Sequence, residues 1–297
     1  FGAAPRPVGC LMAVADGGAA FAGSVSGGCI EADLLQRAGA GRLLPEVPMV
    51  LNYGGDGPRA QRWELPCGGE VRLVVERLRE PASLLPLTQS LARRQRFCRR
   101  LYLNDGHIEF WPAGRDERFS FDGAVLEKVF GPAWRLVLIG AGQLSRQLAE
   151  MARAADYEVV VCEPRQEYAA QWSVPGTRLD PRMPDEVVAE LAPDPRSGVV
   201  ALTHDPRLDD LALWEALGSD AFYVGALGSR ANNDRRRERL AGLGVGPREL
   251  ARLRGPVGLP LGGRTPAEIA ISVLAEVTAV RHGAVLAQDR EELADAG

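Results

Sequence analysis

The chain has 297 residues, of which 46% are hydrophobic, and a formal net charge of −4 at pH 7. This composition is typical of a globular protein rather than a disordered one, and the length suits about two domains. An isoelectric point of about 5.6 argues against nucleic acid as a partner. Because no apolar run reaches the length of a membrane-spanning helix, we also expect no membrane partner.

Residues 1–80 are predicted to form a small α+β domain. The segments Val8–Val14 and Ala20–Val25 have strand character and flank the turn Asp16-Gly17-Gly18, which indicates a hairpin. A helix and two further strands are predicted at Cys29–Ala38, Met49–Tyr53 and Glu70–Glu76. Because the first residue is Phe1 and not Met, we expect the numbering to begin inside a longer gene product.

Residues 81–133 are predicted to connect two domains, and they could pack on the N-terminal one. A helix is expected at Leu84–Arg94, followed by a hairpin of Phe97–Leu103 and His107–Trp111. The stretch Glu109–Phe130 is rich in turn-forming residues and is interpreted as the linker itself.

From residue 134 to residue 297 the pattern is that of a Rossmann-like domain. Apolar strands are predicted at Arg135–Gly140, Glu158–Cys162, Gly198–Leu202 and Ala221–Val224. Helices are predicted at Gln143–Ala155, Pro184–Leu191, Leu208–Leu217, Asn232–Gly242 and Pro266–Arg281, the last with a capping box of Thr265 and Glu268. Alternating strands and helices predict an α/β fold, with a doubly wound parallel sheet beside the smaller N-terminal α+β domain.

The turn Gly140-Ala141-Gly142-Gln143-Leu144-Ser145 follows the first of these strands and opens a helix. Glycines allow the tight turn, and a helix N-terminus offers free N–H groups to a phosphate. Glu163 ends the next strand, about 20 residues on, where Rossmann folds bind a ribose hydroxyl. We therefore expect Gly140, Gly142, Gln143 and Glu163 to bind a nucleotide-like ligand, although a serine replaces the usual third glycine.

Thr203, His204 and Asp205 follow the strand that should lie beside the first one. Ligands of open α/β sheets bind beyond the carboxyl ends of strands, where the strand order reverses. These residues are therefore candidates to face the glycine turn, with His204 as an acid, a base or a ligand contact. The alternative is that His204 caps or packs against the start of the next helix.

A second glycine-rich turn, Gly225-Ala226-Leu227-Gly228-Ser229-Arg230, follows the next strand. Backbone glycines, a hydroxyl and a guanidinium together suit an anionic group such as a phosphate. Gly228, Ser229 and Arg230 are therefore predicted to bind the ligand. The alternative is a structural turn with an exposed arginine.

Two of the five cysteines, Cys29 and Cys67, are flanked by glycines, in Gly27-Gly28-Cys29 and Cys67-Gly68-Gly69. A cysteine at a helix start has its thiolate favoured by the helix dipole, so the two could meet at one site and hold sulfur, a metal or a dithiolene. The alternative is two small buried residues in tight turns. Cys10, Cys98 and Cys162 are interpreted as core, and the absence of Cys-x-x-Cys spacing argues against a bound metal such as zinc.

The motifs, taken in order, resemble the XdhC/CoxI family. The matching stretches are Pro5-Arg6-Pro7-Val8-Gly9, Gly23 to Glu31, Cys67-Gly68-Gly69, the Gly140 turn, Thr203-His204-Asp205, Tyr223 to Arg230 and Pro256 to Ala270. They extend over nearly the whole chain, except residues 81–133. Glu163 stands where relatives commonly carry Asp.

The resemblance implies an accessory protein of xanthine dehydrogenase rather than an enzyme. Such a chaperone binds molybdenum cofactor, as molybdopterin or its cytosine dinucleotide form, and protects it during sulfuration. It delivers the cofactor to an apo molybdoenzyme of the xanthine dehydrogenase or aldehyde oxidase type. A cysteine desulfurase partner, a cytoplasmic location and a homodimer are also implied.

Two other functions fit the sequence. A Rossmann domain also permits an NAD(P)-dependent oxidoreductase, although Lys128 is the only lysine and no Tyr-x-x-x-Lys pair is present. A structural adaptor that has lost its ligand is the other alternative. Its mark would be side chains that fill the space above Gly140 and Gly142.

Overall fold

The computed structural model describes residues 6–28, 30–54, 70–114 and 117–284. The chain divides into two compact units, Phe1–Pro132 and Ala133–Gly297. Each unit is built around its own sheets and is described separately below. Cys29 and Cys67 lie outside the described residues.

The first unit begins with an antiparallel hairpin. Its first elements are β1 (Met12–Ala15), β2 (Ala20–Gly23), α1 (Glu31–Gly39), β3 (Met49–Tyr53) and β4 (Val71–Val75). Strands β1 and β2 pair antiparallel, as do β3 and β4. The small core of this part contains Ile30, Leu34, Leu51 and Tyr53.

The buried face of α1 also carries a polar contact. The Tyr53 hydroxyl donates to the Asp33 carboxylate at 2.6 Å, and Arg37 donates to the same oxygen at 2.6 Å. Burial and the neighbouring Asp33 carboxylate raise the pKa of Tyr53 above its usual range. The contact fixes α1 against β3, because a buried carboxylate without donors would be costly.

The rest of the first unit is a helix and an antiparallel sheet. The elements are α2 (Leu85–Ala92), β5 (Phe97–Tyr102), β6 (Ile108–Pro112), β7 (Ser120–Phe121) and β8 (Val125–Phe130). Among the described residues the sheet has four strands in the order β6-β5-β8-β7.

The interpretation of Glu109–Phe130 as a linker is therefore wrong. Strand β8 pairs with β5 over six residue pairs and lies inside the sheet. The turn formers instead close a hairpin, in which the Asp122 carboxylate accepts the N–H groups of Ala124 and Val125, both at 2.8 Å. The signal was misread because Asx turns join strands as readily as they form linkers.

The second unit alternates strands and helices, as predicted. Its strands are β9 (Trp134–Ile139), β10 (Tyr157–Cys162), β11 (Arg178–Asp180), β12 (Ser197–Ala201), β13 (Tyr223–Ala226) and β14 (Leu253–Arg254). Its helices are α3 (Gln143–Ala154), α4 (Gln166–Ala169), α5 (Pro184–Leu191), α6 (Pro206–Gly218), α7 (Arg230–Gly242), α8 (Pro247–Leu250) and α9 (Pro266–Arg281). The short elements α4, α8, β11 and β14 escaped prediction because two to four residues carry no readable period.

The sheet of this unit has the strand order β11-β10-β9-β12-β13-β14 over the described residues, and every pair is parallel. In order along the chain this is 3-2-1-4-5-6, the Rossmann arrangement. The predicted doubly wound α/β fold is confirmed.

Two apolar layers cover the faces of the sheet. On one face, Leu136 and Leu138 of β9 pack in a cluster with α3 and α9. On the other face, Val137 and Ile139 pack in a cluster with α5, α6 and α7. All four side chains are fully buried because successive residues of a central strand point to opposite faces. No helix in the described part of the chain is long and apolar enough to cross a membrane.

Candidate functional site

The carboxyl ends of β9 and β12 form the candidate site of the second unit. These strands are neighbours, and the chain order reverses between them, which is where ligands of this fold bind. Gly140, with φ of +103°, turns the chain after β9 and lies against Thr203, which follows β12. A Cβ atom on Gly140 would come within 2.9 Å of the Thr203 methyl group, so only glycine fits.

Helix α3 begins at this edge without a side-chain cap. Its N-cap residue is Gly142, and a Cβ atom there would meet nothing within 4 Å. Helices α6, α7 and α9 differ, since Asp205, Ser229 and Thr265 cap them. The first turn of α3 therefore presents N–H groups and the positive end of its dipole to open space, which suits an anionic ligand.

Glu163 supports the glycine turn and does not face a ligand. Its side chain is fully buried, and its carboxylate accepts the Ala141 N–H at 2.9 Å. It also accepts the backbone N–H, Nε–H and Nη2–H of Arg165 at 3.0, 2.8 and 2.8 Å. Burial raises the pKa of Glu163, but the bonds from Arg165 and Ala141 outweigh it and keep the pKa below its usual range.

The prediction that Glu163 binds a ribose hydroxyl therefore needs correction. Each oxygen of the carboxylate accepts two of these hydrogen bonds, and the side chain is fully buried, so its oxygens face protein donors and not the open edge of the sheet. The carboxylate at the end of β10 lies at the expected position in the chain but is turned inward. Sequence spacing placed the residue correctly and could not show the direction of its side chain.

Glu163 belongs to a repeated motif that the sequence analysis missed. An acidic residue, a proline and an arginine occur together four times in the chain. Three of these triplets follow strands at the carboxyl edge of the sheet, at Glu163-Pro164-Arg165, Asp180-Pro181-Arg182 and Asp205-Pro206-Arg207, and the fourth, Asp194-Pro195-Arg196, precedes β12. We call each of the three at the carboxyl edge an arginine clip. In every clip the arginine backbone N–H, Nε–H and Nη2–H donate to the acid two residues earlier. The signal was the acid-Pro-Arg triplet itself, next to three strand ends of one sheet.

The turn after β12 contains His204 in the left-handed conformation, with φ of +62°. The Asp205 N–H donates to Thr203 Oγ1 at 2.9 Å, and the Asp205 carboxylate caps α6 by accepting the Arg207 N–H at 3.0 Å. Asp205, not His204, is thus the helix cap. His204 is exposed at the turn beside Gly140, as the prediction of a ligand contact requires.

The side-chain amide of Asn233 holds the turn after β13 in place. Gly228 has φ of +137°, and Ser229 caps α7 by accepting the Asn232 N–H at 3.3 Å. The buried Asn233 amide donates to the carbonyls of Gly228 and Ser229 at 3.1 and 3.2 Å. Arg230 is exposed at the start of α7, where a guanidinium can meet an anion.

A buried ion pair connects the turns after β12 and β13. The Asp209 carboxylate accepts the Thr203 N–H at 3.1 Å and its hydroxyl at 2.7 Å. Arg236 donates to Asp209 at 3.3 Å and to the Leu227 carbonyl at 3.1 Å. Burial raises the pKa of Asp209 despite the bonds from Thr203. Asp209 lies in the first turn of α6 and Arg236 in the middle of α7, 27 residues further along the chain, so no local sequence pattern predicts the pair.

In the first unit, Glu31 organises the loop before α1. Burial raises its pKa, but hydrogen bonds from Ser24 and Ser26 lower the pKa far below its usual range. Its carboxylate accepts six hydrogen bonds, from the hydroxyls of Ser24 and Ser26 and the N–H groups of Val25, Ser26, Gly28 and Ile30. The Gly-Gly-Cys-Ile-Glu motif therefore encodes a loop folded around its own glutamate.

Of the three cysteines in the described part of the chain, two are core residues. Cys98 and Cys162 are buried, and burial raises the pKa of their thiols to about 11 and about 12. Cys10 is half-buried and its thiol donates to the Val25 carbonyl at 3.5 Å. Among the described residues no group of three or more His, Cys, Asp or Glu could hold a metal ion.

The strand order and the glycine turn at the switch point define the second unit as a Rossmann-type domain. The family model for the XdhC Rossmann domain matches residues 136–277, and the model for the XdhC and CoxI family matches residues 1–54. The chain belongs to the XdhC/CoxI family.

Two relatives match most of the chain. The molybdenum cofactor insertion chaperone PaoD of Escherichia coli is 29% identical over 287 residues, which is 94% of this chain and 80% of PaoD. A Bacillus subtilis protein named as a probable xanthine dehydrogenase subunit is 25% identical over 284 residues, covering 87% of this chain and 84% of the relative. A crystal structure of a Bacillus halodurans protein described as a xanthine dehydrogenase superposes with a TM-score of 0.74 at 22% identity, over 97% of this chain and 90% of the other. This last likeness supports the fold.

Proposed function

We propose that this protein is a chaperone for molybdenum cofactor. It binds the cofactor, protects it during sulfuration and delivers it to an apo enzyme of the xanthine dehydrogenase or aldehyde oxidase type. Family membership and the names of two relatives support the role. The cargo is molybdopterin or its cytosine dinucleotide form, and both carry phosphate.

The observation that carries the proposal is the open, uncapped start of α3 at the switch point of the sheet. A phosphate placed there would accept N–H groups near Gly142 and Gln143 and lie against the positive end of the helix dipole. The Gly140 turn brings the backbone close enough for this contact.

Polar groups beside the phosphate position suit the pterin. Thr203, His204 and Asp205 follow β12, and Gly228, Ser229 and Arg230 follow β13, at the same edge of the sheet. Together they offer hydroxyl, imidazole and guanidinium groups to the polar edge of a pterin ring or to a second anionic group.

The remaining parts of the proposal come from the sequence motifs. Cys29 and Cys67 are assigned to contact with sulfur or molybdenum, because each is flanked by glycines that leave a thiol accessible. The corresponding partners are the apo molybdoenzyme and a cysteine desulfurase. We place the protein in the cytoplasm as a homodimer.

Gly142→Asp tests the proposed phosphate site directly. Aspartate is a preferred N-cap residue, and nothing blocks a side chain here. We expect the variant to keep or raise thermal stability, by about a few tenths of a kcal/mol, while its carboxylate fills the anion position. Cofactor binding should fall by at least about tenfold.

The measurement is the molybdenum and pterin content of protein purified from cofactor-replete cells, followed by activation of an apo xanthine dehydrogenase. Gly114→Asp is the matched control, since that exposed glycine also has open space around it, within the first unit. Wild-type protein that carries no molybdenum or pterin would contradict the proposed function. Equal molybdenum and pterin contents in the wild-type protein and the Gly142→Asp variant would show that the cofactor phosphate does not bind at the start of α3.

A second candidate, an NAD(P)-dependent oxidoreductase, is favoured by the strand order of the sheet. NAD binding in this fold uses an acidic residue at the end of the second strand to hold a ribose diol. Glu163 is fully buried and already accepts four hydrogen bonds from Ala141 and Arg165, which argues against this role. Turnover of NADH or NADPH with a small carbonyl substrate would support this alternative. The adaptor alternative predicts a filled space above Gly140 and Gly142. Thr203 lies against Gly140, but the space at Gly142 is open, which favours a ligand.

A further inference from the structure

At the end of β10, the charged group that a ligand can reach is the guanidinium of Arg165 and not the carboxylate of Glu163. Glu163 is fully buried, and its two carboxylate oxygens accept four hydrogen bonds from Ala141 and Arg165. A ribose diol bound at this position would need that carboxylate as its acceptor. The group that remains exposed there is Arg165, whose side chain is 28% exposed.

Arg165 is held rigidly and keeps donors free. Its Nε and Nη2 atoms donate to Glu163 at 2.8 Å, and its guanidinium carbon lies 4.2 Å from the ring centroid of Tyr168. Of the five N–H groups of a guanidinium, those on Nη1 have no acceptor among the residues that the structure describes. A fixed guanidinium with free N–H groups is suited to a phosphate, because little entropy is lost when it binds.

We propose that Arg165 is a specificity-determining residue of the crevice. It binds a phosphate of the ligand at the end of β10 and disfavours ligands that bring an unphosphorylated ribose diol there. This inference rests on the proposed function, because both require a ligand at the carboxyl edge of the sheet. It adds that the chemical group bound at the end of β10 is a phosphate.

The clip at the edge strand provides a comparison within the same sheet. Arg182 is bound to Asp180 as Arg165 is to Glu163, but its Nη1 also donates to Glu190. Arg182 therefore donates to two carboxylates, whereas Arg165 donates to one and has the Asp205 carboxylate as a further charged neighbour. At β11 the Nη1 group of the clip arginine is bound to a second carboxylate of the protein. At β10 the corresponding Nη1 group is available to a ligand.

The test compares NADP⁺ with NAD⁺, which differ by one phosphate on a ribose 2′ oxygen, by isothermal titration of the full chain. We expect the wild-type protein to bind NADP⁺ at least about tenfold more tightly than NAD⁺. Arg165→Gln should abolish this preference, and the matched control Arg182→Gln should retain it. Equal affinities in the wild-type protein, a preference for NAD⁺, or binding of neither dinucleotide would overturn the inference.

A second pair of variants guards against misfolding, because Arg165→Gln leaves a buried carboxylate without its partner. Glu163→Gln keeps the arginine and one side-chain oxygen to hold it, so the NADP⁺ preference should be weaker than in the wild-type protein but still present. The double change of Glu163→Gln with Arg165→Gln should lose the preference while it melts near the temperature of Glu163→Gln alone. Persistence of the preference in the double variant would also overturn the inference.

The two proposals fail in different ways. Discrimination between the dinucleotides without any molybdenum or pterin in the purified protein would remove the proposed function and support the role of Arg165. Cofactor loading with no discrimination would remove the role of Arg165 and leave the chaperone function in place.

Discussion

At the residue scale, carboxylates that fold the backbone around themselves recur in this protein. Glu31 gathers the loop before α1, and Glu163 gathers the Gly140 turn. Each side chain satisfies N–H groups that the local backbone leaves without a partner, which is why each is buried although charged. Such residues position a site without touching its ligand.

Glu31→Gln should lower the free energy of unfolding of the first unit by about 2–3 kcal/mol, because an amide replaces a charged acceptor and one of its atoms is a donor. The measurement is urea unfolding followed by tryptophan fluorescence and circular dichroism. The control is Glu46→Gln, whose carboxylate is largely exposed in a surface ion pair with Arg79. An equal effect of the two changes would show that the six hydrogen bonds of Glu31 add nothing.

At the element scale, the ion pair of Asp209 and Arg236 joins α6 and α7 and connects the turns after β12 and β13. Each of the two turns supplies three candidate residues. The buried contact holds one turn in place relative to the other. Arg236 also donates to Asn233, which holds the Gly228 turn. Removal of one partner from a buried pair costs more than the pair itself contributes.

Arg236→Met is therefore expected to destabilise the protein by about 3–5 kcal/mol, since the buried Asp209 carboxyl group loses its guanidinium partner. Amide exchange at Thr203 and at residues 227–229 should accelerate together. The matched change Arg235→Met removes an exposed neighbour whose hydrogen bonds stay within its own helix, and it should leave exchange unchanged. Faster exchange at only one of the two turns would contradict the coupling.

At the scale of the whole molecule, several buried or paired carboxylates have a lowered pKa, among them Glu31, Glu163 and Asp180. A carboxylate with a lowered pKa in the folded state stabilises the fold above its unfolded pKa. This stabilisation is lost as the pH falls toward the folded value. Asp209 has a raised pKa and acts in the opposite direction.

The protein should therefore lose stability as the pH is lowered from about 6 to about 3. The reason is that, among the carboxylates that the structure describes, lowered pKa values are more numerous than the raised pKa of Asp209. The urea midpoint measured at each pH checks this. Glu31→Gln should flatten the profile below the ordinary Glu value of 4.5. A variant profile parallel to that of the wild-type protein would exclude Glu31 as a contributor.

Much of the fold was predictable because its signals are local. The apolar strands and the bounds of α5 and α9 follow from residue periodicity, Pro184 and the capping box of Thr265. The position of the Gly140 turn and its neighbour at Thr203 follow from the chirality and order of parallel strands. Family membership followed from motifs distributed along the chain.

By itself, the sequence determined the α/β class, the turns at the carboxyl edge of the sheet and the residue types that occupy them. Only the tertiary structure decided that Glu163 points inward, that β8 lies inside a sheet and that Asp209 joins two turns. The reason is that hydrophobic period and turn chemistry act between near neighbours in the chain. The partners of a buried carboxylate are set by which distant segments the fold brings together.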